Sequence, residues 1–249
     1  MMKRFLSIDW DYFFDATDLQ RCTLFPDGGN ENLPDSLRDY IWDTYYRNPK
    51  LEEIKVLSLE FKYLLGYCRA FSGEALITDS HKHIFNFIME NTEPDEFFEV
   101  YNIDFHHDLY DFKTHDGARV NCGNWATELL KERPGMHYVW IKRDDSDLEV
   151  NGKVVGRDLV EFANFSNFQM SFLRGIDKYF DYLFLCRSSM WSPPHLDKKF
   201  VRVVKLLNQG NCVCRYERGI NKPRKYEKPS EFDGYKAMFD MVDQLHKKS

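Results

Sequence analysis

The sequence predicts an α/β protein, a three-layer αβα sandwich around a mostly parallel sheet, and three observations carry that expectation. The runs Arg4-Phe5-Leu6-Ser7-Ile8 and Phe97-Phe98-Glu99-Val100-Tyr101-Asn102-Ile103 are apolar almost throughout, as strands of a parallel sheet covered on both faces must be. Each run stops at an aspartate followed by further polar ligand-type residues, and open α/β sheets place their sites beyond the carboxyl ends of strands. The stretches between such runs have helical spacing, and 249 residues suffice for one α/β domain with a substantial core, so a single domain over 1–249 is expected.

Taken along the chain, Leu33 to Tyr46 and Glu52 to Tyr67 read as helices, with Pro34 suited to a helix start and Pro49 to the break between them. Glu74-Ala75-Leu76-Ile77-Thr78 reads as a short strand. Asp79-Ser80 then signal a helix start, with an amphipathic helix over His81 to Ile88. A further strand is expected at Gly135 to Ile141. Leu148-Glu149-Val150 and Lys153-Val154-Val155 flank Asn151-Gly152, a strong hairpin signal at an insertion or a sheet edge. Asp181 to Cys186 is another buried-strand run, followed by a polar loop, Arg187 to His195, and a helix from about Asp197 to Asn208. That loop lies where ligands bind, which makes Ser188, Ser189, Trp191 and His195 pocket candidates. The tail from Arg215 is basic first and helical last; Arg215, Arg218, Lys222, Arg224, Lys225 and Lys228 read as a solvated charged loop.

Composition excludes several classes. The net charge of −6 argues against a general nucleic-acid binder, and the aromatic content of 16% reads as core and pocket wall rather than a base-stacking surface. No stretch is apolar and long enough to span a bilayer, and Met1 to Trp10 meets charge too early for a secretory signal, so a cytoplasmic protein without a membrane partner is expected. The six cysteines lack paired spacing and read as reduced thiols; Cys212-Val213-Cys214 is too close for the usual zinc spacing.

The chemistry concentrates in two segments, Ser7-Ile8-Asp9-Trp10-Asp11 and Asp104-Phe105-His106-His107-Asp108. Strand side chains alternate between faces, so Asp9 with Asp11, and Asp104 with His106 and Asp108, leave their strand ends on common sides. Carboxylates and imidazoles of this kind suit Mn(II), Fe(II) or Zn(II), and a bridging carboxylate lets two ions share one hydroxide. His81, at the junction of a strand and a helix, offers a further nitrogen ligand, with His83 in reserve.

These segments resemble the manganese ureohydrolases, the arginases and agmatinases, through D-x-H-x-D at Asp104 to Asp108, S-x-D-x-D at Ser7 to Asp11, and a strand-end histidine a little over twenty residues before the former. They are more similar still to a small arginase-like family that includes peptide arginases of ribosomal peptide biosynthesis. The resemblance implies an arginase/deacetylase-like fold and two Mn2+ ions. One would sit on His81, Asp104, Asp108 and Asp9, the other on His106, Asp104, Asp9 and Asp11. In ordinary arginases the S-x-D-x-D segment follows the D-x-H-x-D segment, whereas here it opens the chain, so the connectivity is permuted. Arginases also carry Gly-Asn-Leu-His after the D-x-H-x-D motif; here Gly123-Asn124-Trp125-Ala126 puts Ala126 where the proton-transfer histidine falls, and His107, His115 or His195, in that order, would substitute.

The implied activity is hydrolysis of arginine side chains of a ribosomally made precursor peptide to ornithine and urea, by attack of a hydroxide that bridges the two ions. Asp108 would protonate the departing amine. Asp15, Asp27, Glu31 and Asp111 are open alternatives for holding the guanidinium. A deacetylase or other amide hydrolase of the same fold is the second reading, and a peptide-binding protein without catalysis the third; the full ligand set, Asp11 and Asp108 included, favours two metals and an amidino substrate.

Overall fold

A computed structural model describes residues 2–26, 33–111, 117–146, 149–150, 153–154, 160–164 and 180–227. Its centre is a seven-stranded sheet in the order β7-β4-β3-β1-β8-β2-β9, in which all six neighbour pairings are parallel. The strands are β1 (Lys3–Asp9), β2 (Glu74–Thr78), β3 (Phe98–Ile103), β4 (Met136–Lys142), β7 (Val160–Asn164), β8 (Tyr182–Cys186) and β9 (Val213–Tyr216). The N-terminal strand β1 is thus central, between β3 and β8.

Alternation along each strand feeds two cores. Leu6 and Ile8 of β1, with Leu183 and Leu185 of β8 and Ala75 and Ile77 of β2, pack with helices α3 (Ser58–Ala70) and α6 (Asp197–Gln209). Phe5 of β1, Phe98 and Val100 of β3 and Phe184 of β8 pack on the other face with α4 (His83–Asn91) and α5 (Trp125–Glu132). Helices on both faces cover the central strands of the parallel sheet. The expected α/β class and its covered sheet are therefore present.

The elements differ from expectation in instructive places. Helix α2 (Asp35–Tyr45) starts after Pro34 as expected, but the next helix begins at Ser58 rather than Glu52. Pro49–Glu53 forms a 3-10 turn, and residues 54–57 are held extended against the first segment: Leu57 N–H donates to Phe13 O at 2.8 Å, Asp15 N–H to Lys55 O at 2.8 Å, and Phe14 bridges to Val56. Tertiary pairing there overrides helical spacing. Helix α1 (Asp18–Leu24) was not anticipated, although its capping box is legible: Thr17 Oγ1 accepts from Gln20 N–H and Gln20 Oε1 from Thr17 N–H. Helix α5 and the strands β7 and β9 were likewise unanticipated.

The hairpin flanks β5 (Glu149–Val150) and β6 (Lys153–Val154) do pair antiparallel, Glu149 opposite Val154, as a separate two-stranded sheet; Asn151 and Gly152 lie outside the described residues. The basic segment that begins at Arg215, within β9, is not simply solvated. Arg215 pairs with Glu74 and Glu90, and Arg224 is buried on Asp197; Lys228 and the helical tail lie outside the described residues. No helix among the described residues is long and apolar enough to cross a membrane.

Candidate metal centre

The carboxyl ends of the four adjacent strands β3, β1, β8 and β2 supply the site. Asp9 closes β1 and Asp11 follows in a 3-10 turn, Trp10–Phe13; Asp104, His106 and Asp108 follow β3; His81 lies between β2 and α4; Ser188 follows β8. The two motifs converge by turning, not by the continued strand alternation expected from sequence. In both, the first aspartate accepts a hydrogen bond from the backbone N–H two residues on: Asp11 N to Asp9 Oδ1 at 3.0 Å, and His106 N to Asp104 Oδ1 at 2.9 Å. This is the Asx turn, which short carboxylate side chains favour. Asp108 then takes a left-handed backbone, φ 54°, a conformation costly for a residue with a Cβ and concentrated at functional sites.

His81 Nδ1 lies 3.1 Å from each of three carboxylate oxygens, on Asp9, Asp104 and Asp108. Its other nitrogen, Nε2, is 2.7 Å from Ser7 Oγ, and the ring stacks on Phe184. A donor bond from Nε2 to Ser7 leaves the Nδ1 lone pair for a cation. His106 Nδ1 lies 3.2 Å from Asp11 Oδ2 and 3.8 Å from Asp104 Oδ1. Two ligand groups result, Asp9 with His81 and Asp104, and Asp11 with Asp104 and His106, and Asp104 belongs to both.

The support around them is dense. Trp125 Nε1 donates to Asp108 Oδ2 at 2.5 Å, Asn102 Nδ2 to Asp104 Oδ2 at 3.3 Å, Trp140 Nε1 to the Asp104 carbonyl at 3.0 Å, and Ser188 Oγ to Asp9 Oδ2. Arg21 Nη2 donates to the Asp11 carbonyl at 2.8 Å while its guanidinium lies 3.8 Å above the Phe105 ring.

Crowding shifts the titrations. Burial, then the charges of Asp11 and Asp104, push the Asp9 carboxyl up to about 7. Burial and the charge of Asp104 hold Asp108 well above the carboxylate range. Burial would raise Asp104 as well, but the hydrogen bond and charge of His81, with the charge of His106, hold it low. Burial opposes charge on both imidazoles and loses: Asp108, Asp104 and Asp9 raise His81 well above its usual value, and Asp11 raises His106.

The residues fit divalent cations. One Nδ1–H can serve only one of the three oxygens around His81, so protons alone leave this geometry undersatisfied, whereas a cation among them engages all. Asp11 Oδ1 is buried with no hydrogen-bond partner, a placement that is costly unless an ion meets it.

All six expected metal ligands, Asp9, Asp11, His81, Asp104, His106 and Asp108, are thus in one cluster. Of the expected proton-transfer histidines, His107 and His195 do not join it. His107 points the other way: its Nδ1 accepts from Leu109 N–H at 2.9 Å, and its ring packs against Tyr110 and Trp140. His195 bonds Tyr46 OH at 2.6 Å and the Ile54 carbonyl at 3.0 Å, so both ring nitrogens are engaged in packing the 3-10 turn Pro194–Leu196. His115, Asp27 and Glu31 lie outside the described residues. Ala126 is buried, its N–H donating to the Asp108 carbonyl at 3.2 Å. Asp15 and Asp111 are exposed, the latter 3.6 Å from Lys131. Of the loop candidates, Ser188 reaches the cluster and Ser189 bonds Asp79 instead. Sequence reasoning gave no role to Ser7, Trp125, Asn102 or Arg21; Ser7 was findable, because it lies two residues before Asp9 on one strand face.

Comparison with protein-family models, with curated proteins and with solved structures finds no match to this chain.

Proposed function

We propose that this protein is a dinuclear manganese hydrolase that converts arginine side chains of a ribosomally made precursor peptide to ornithine and urea, on an arginase-like fold with permuted connectivity. The observation that carries the reading is the pair of ligand groups sharing Asp104 at the carboxyl ends of adjacent parallel strands. His81, Asp9, Asp104 and Asp108 would hold one ion, and His106, Asp11, Asp104 and Asp9 the other. Two such cations would supply a water ionised near neutral pH, the nucleophile that a delocalised guanidinium carbon requires.

The chain's own residues account for the rest. Trp125 fixes the Asp108 carboxyl, which would hold the ion as a carboxylate and pass a proton from the attacking water to the departing amine. His106 is the ligand whose side chain is one-third exposed, which puts the substrate's approach on the Asp11 and His106 side. Water is excluded from the other side by Phe184, Trp125 and Ser188. The overall change is guanidinium plus water to the protonated amine, an ammonium, plus urea. The Asp11 and His106 group favours this reading over a single-ion deacetylase, which has no use for it.

The test is incubation of Mn(II)-loaded protein with an arginine-containing peptide, read by mass spectrometry as a loss of about 42 Da per side chain through hydrolysis at the ions. The loss should vanish with chelator. No loss from peptide, free arginine or agmatine, with release of acetate from an acetyl-lysine peptide, would replace this reading by deacetylation.

A further inference from the structure

Ser188 holds no ion and moves no proton in the proposed reaction, yet its hydroxyl ends on a central carboxylate. We propose that Ser188 is a positioning residue that fixes Asp9 for cation binding, and that a buried clasp centred on Asp79 holds Ser188 in place. The inference rests on the metal reading above.

The bonding leaves Ser188 Oγ one arrangement. Ser188 Oγ donates to Asp9 Oδ2, and a carboxylate that holds a cation can only accept. Cys186 Sγ lies 3.2 Å from Ser188 Oγ, and burial keeps this thiol protonated, so Cys186 donates to Ser188 in turn. With Asp11 N–H on Asp9 Oδ1, both oxygens of Asp9 are oriented from the protein side.

The backbone of Ser188 is left-handed, φ 50°, and does not hold itself there. Its neighbours are pinned. Arg187 N–H donates to the Thr78 carbonyl at 3.0 Å and Arg187 Nε to Asp79 Oδ1 at 2.7 Å; Ser189 Oγ donates to the same Asp79 oxygen. The Ser189 carbonyl accepts from Trp42 Nε1 at 2.6 Å and Arg224 Nη1 at 2.7 Å, and Arg224 is anchored on Asp197. Arg38 Nη1 reaches Asp79 Oδ2 at 2.5 Å, which ties in α2. Asp79 follows β2 directly, so its carboxylate ties the β8 loop to the end of the neighbouring strand. Five largely buried charges, Asp79, Asp197, Arg38, Arg187 and Arg224, spent on a three-residue loop are hard to justify by packing alone.

Outer partners of metal ligands are worth roughly 10–100-fold in affinity. Ser188→Ala and Ser188→Gly, titrated with Mn(II) by calorimetry beside the wild type, should each bind more weakly by that factor. Glycine relieves the left-handed backbone while alanine does not, so equal losses assign the effect to the hydroxyl. Electron paramagnetic resonance at two equivalents should change from a coupled Mn(II) pair to isolated-ion lines. If Asp79 acts through Ser188, Asp79→Asn combined with Ser188→Ala should bind Mn(II) no more weakly than Ser188→Ala alone. Wild-type affinity and spectrum in both Ser188 variants overturn the proposal, as does an additive double variant. Should Asp79→Asn fail to fold, the Ser188 pair decides. A wild type that takes up no Mn(II) overturns the metal reading itself, a result separable from unchanged variants of a metal-binding wild type.

Discussion

The two ligand groups share Asp104 but are built to different ends. Around His81 every ligand is buried, and each has an outer partner: Ser7 on His81, Ser188 on Asp9, Asn102 on Asp104 and Trp125 on Asp108. Around His106 the packing opens. The imidazole is one-third exposed, Asp11 Oδ1 has no hydrogen-bond partner, and the neighbouring charge is a cation, Arg21, whose Nη1 lies 3.7 Å from Asp11 Oδ2. On the proposed reading the closed, fully supported group would retain its ion and the open group would meet the substrate. The difference teaches that two similar sets of side chains can be set apart by burial and by the hydrogen bonds behind them rather than by ligand identity.

The shared residue gives the largest test of that division. Asp104→Ala removes a ligand from both groups, and neither ion should be retained; turnover should fall by on the order of 10³-fold or more, since the activated water is lost with the ions. Metal content by elemental analysis checks it, and two retained ions would dissolve the shared site. Asp11→Asn strikes only the open group. Stoichiometry should fall from two Mn(II) to one, with the protein folded and turnover lost; loss of both ions would mean that the groups are not separable.

The next effect sets protons against cations in the closed group. Asp9 is raised from 3.8 to about 7, so between those values the folded protein binds a proton that the unfolded chain releases, and stability falls as pH rises through that window. The raised His81 and His106 act in the same direction: their stabilisation is complete below the unfolded value of 6.5 and is lost as pH rises through the folded values. Asp104, held low, opposes this only near and below its unfolded value of 3.8. Chelated protein should therefore melt several degrees higher at about pH 5.5 than at about pH 8. Mn(II) requires deprotonated ligands and should shrink or invert that gap. A chelated protein that is more stable at the higher pH contradicts the burial argument.

The closed group was also the more legible of the two in sequence. Apolar strands ending in aspartate are visible one residue at a time, and Asp9, Asp104 and His81 fall where strand ends were expected. What brings Asp11 and His106 together is not periodicity but an Asx turn repeated in each motif, and a turn of this kind is a local hydrogen bond that spacing does not display. The covered sheet was legible from Phe5 to Ile8 and Leu183 to Cys186, whereas β9 was hidden because Val213-Cys214-Arg215-Tyr216 is short, mixed in polarity and largely exposed at an edge. Trp125 and Ser188 could not be assigned from sequence, since each contacts its ligand across more than fifteen residues through tertiary packing.

The smallest expected effect sharpens the comparison by removing a residue from outside both groups. His195 was a proton-transfer candidate, yet it accepts from Tyr46 or donates to it at Nδ1 and meets the Ile54 carbonyl at Nε2, and burial lowers its pKa. Burial favours the neutral ring, and the pattern is complete if Nε2–H donates to Ile54 and Tyr46 donates to Nδ1, with the His195 backbone N–H donating to Tyr46 in turn. A ring satisfied on both nitrogens serves the packing of Tyr46 and Pro194–Leu196, so His195→Gln should cost about 1–2 kcal/mol of stability, the worth of one or two buried hydrogen bonds. Mn(II) affinity should be unchanged and turnover should stay within about twofold, because the ring contributes nothing to the transition state. A tenfold fall in turnover with both ions retained would give His195 a part in proton transfer and would require the Pro193–Leu196 turn to move toward the open group during the reaction.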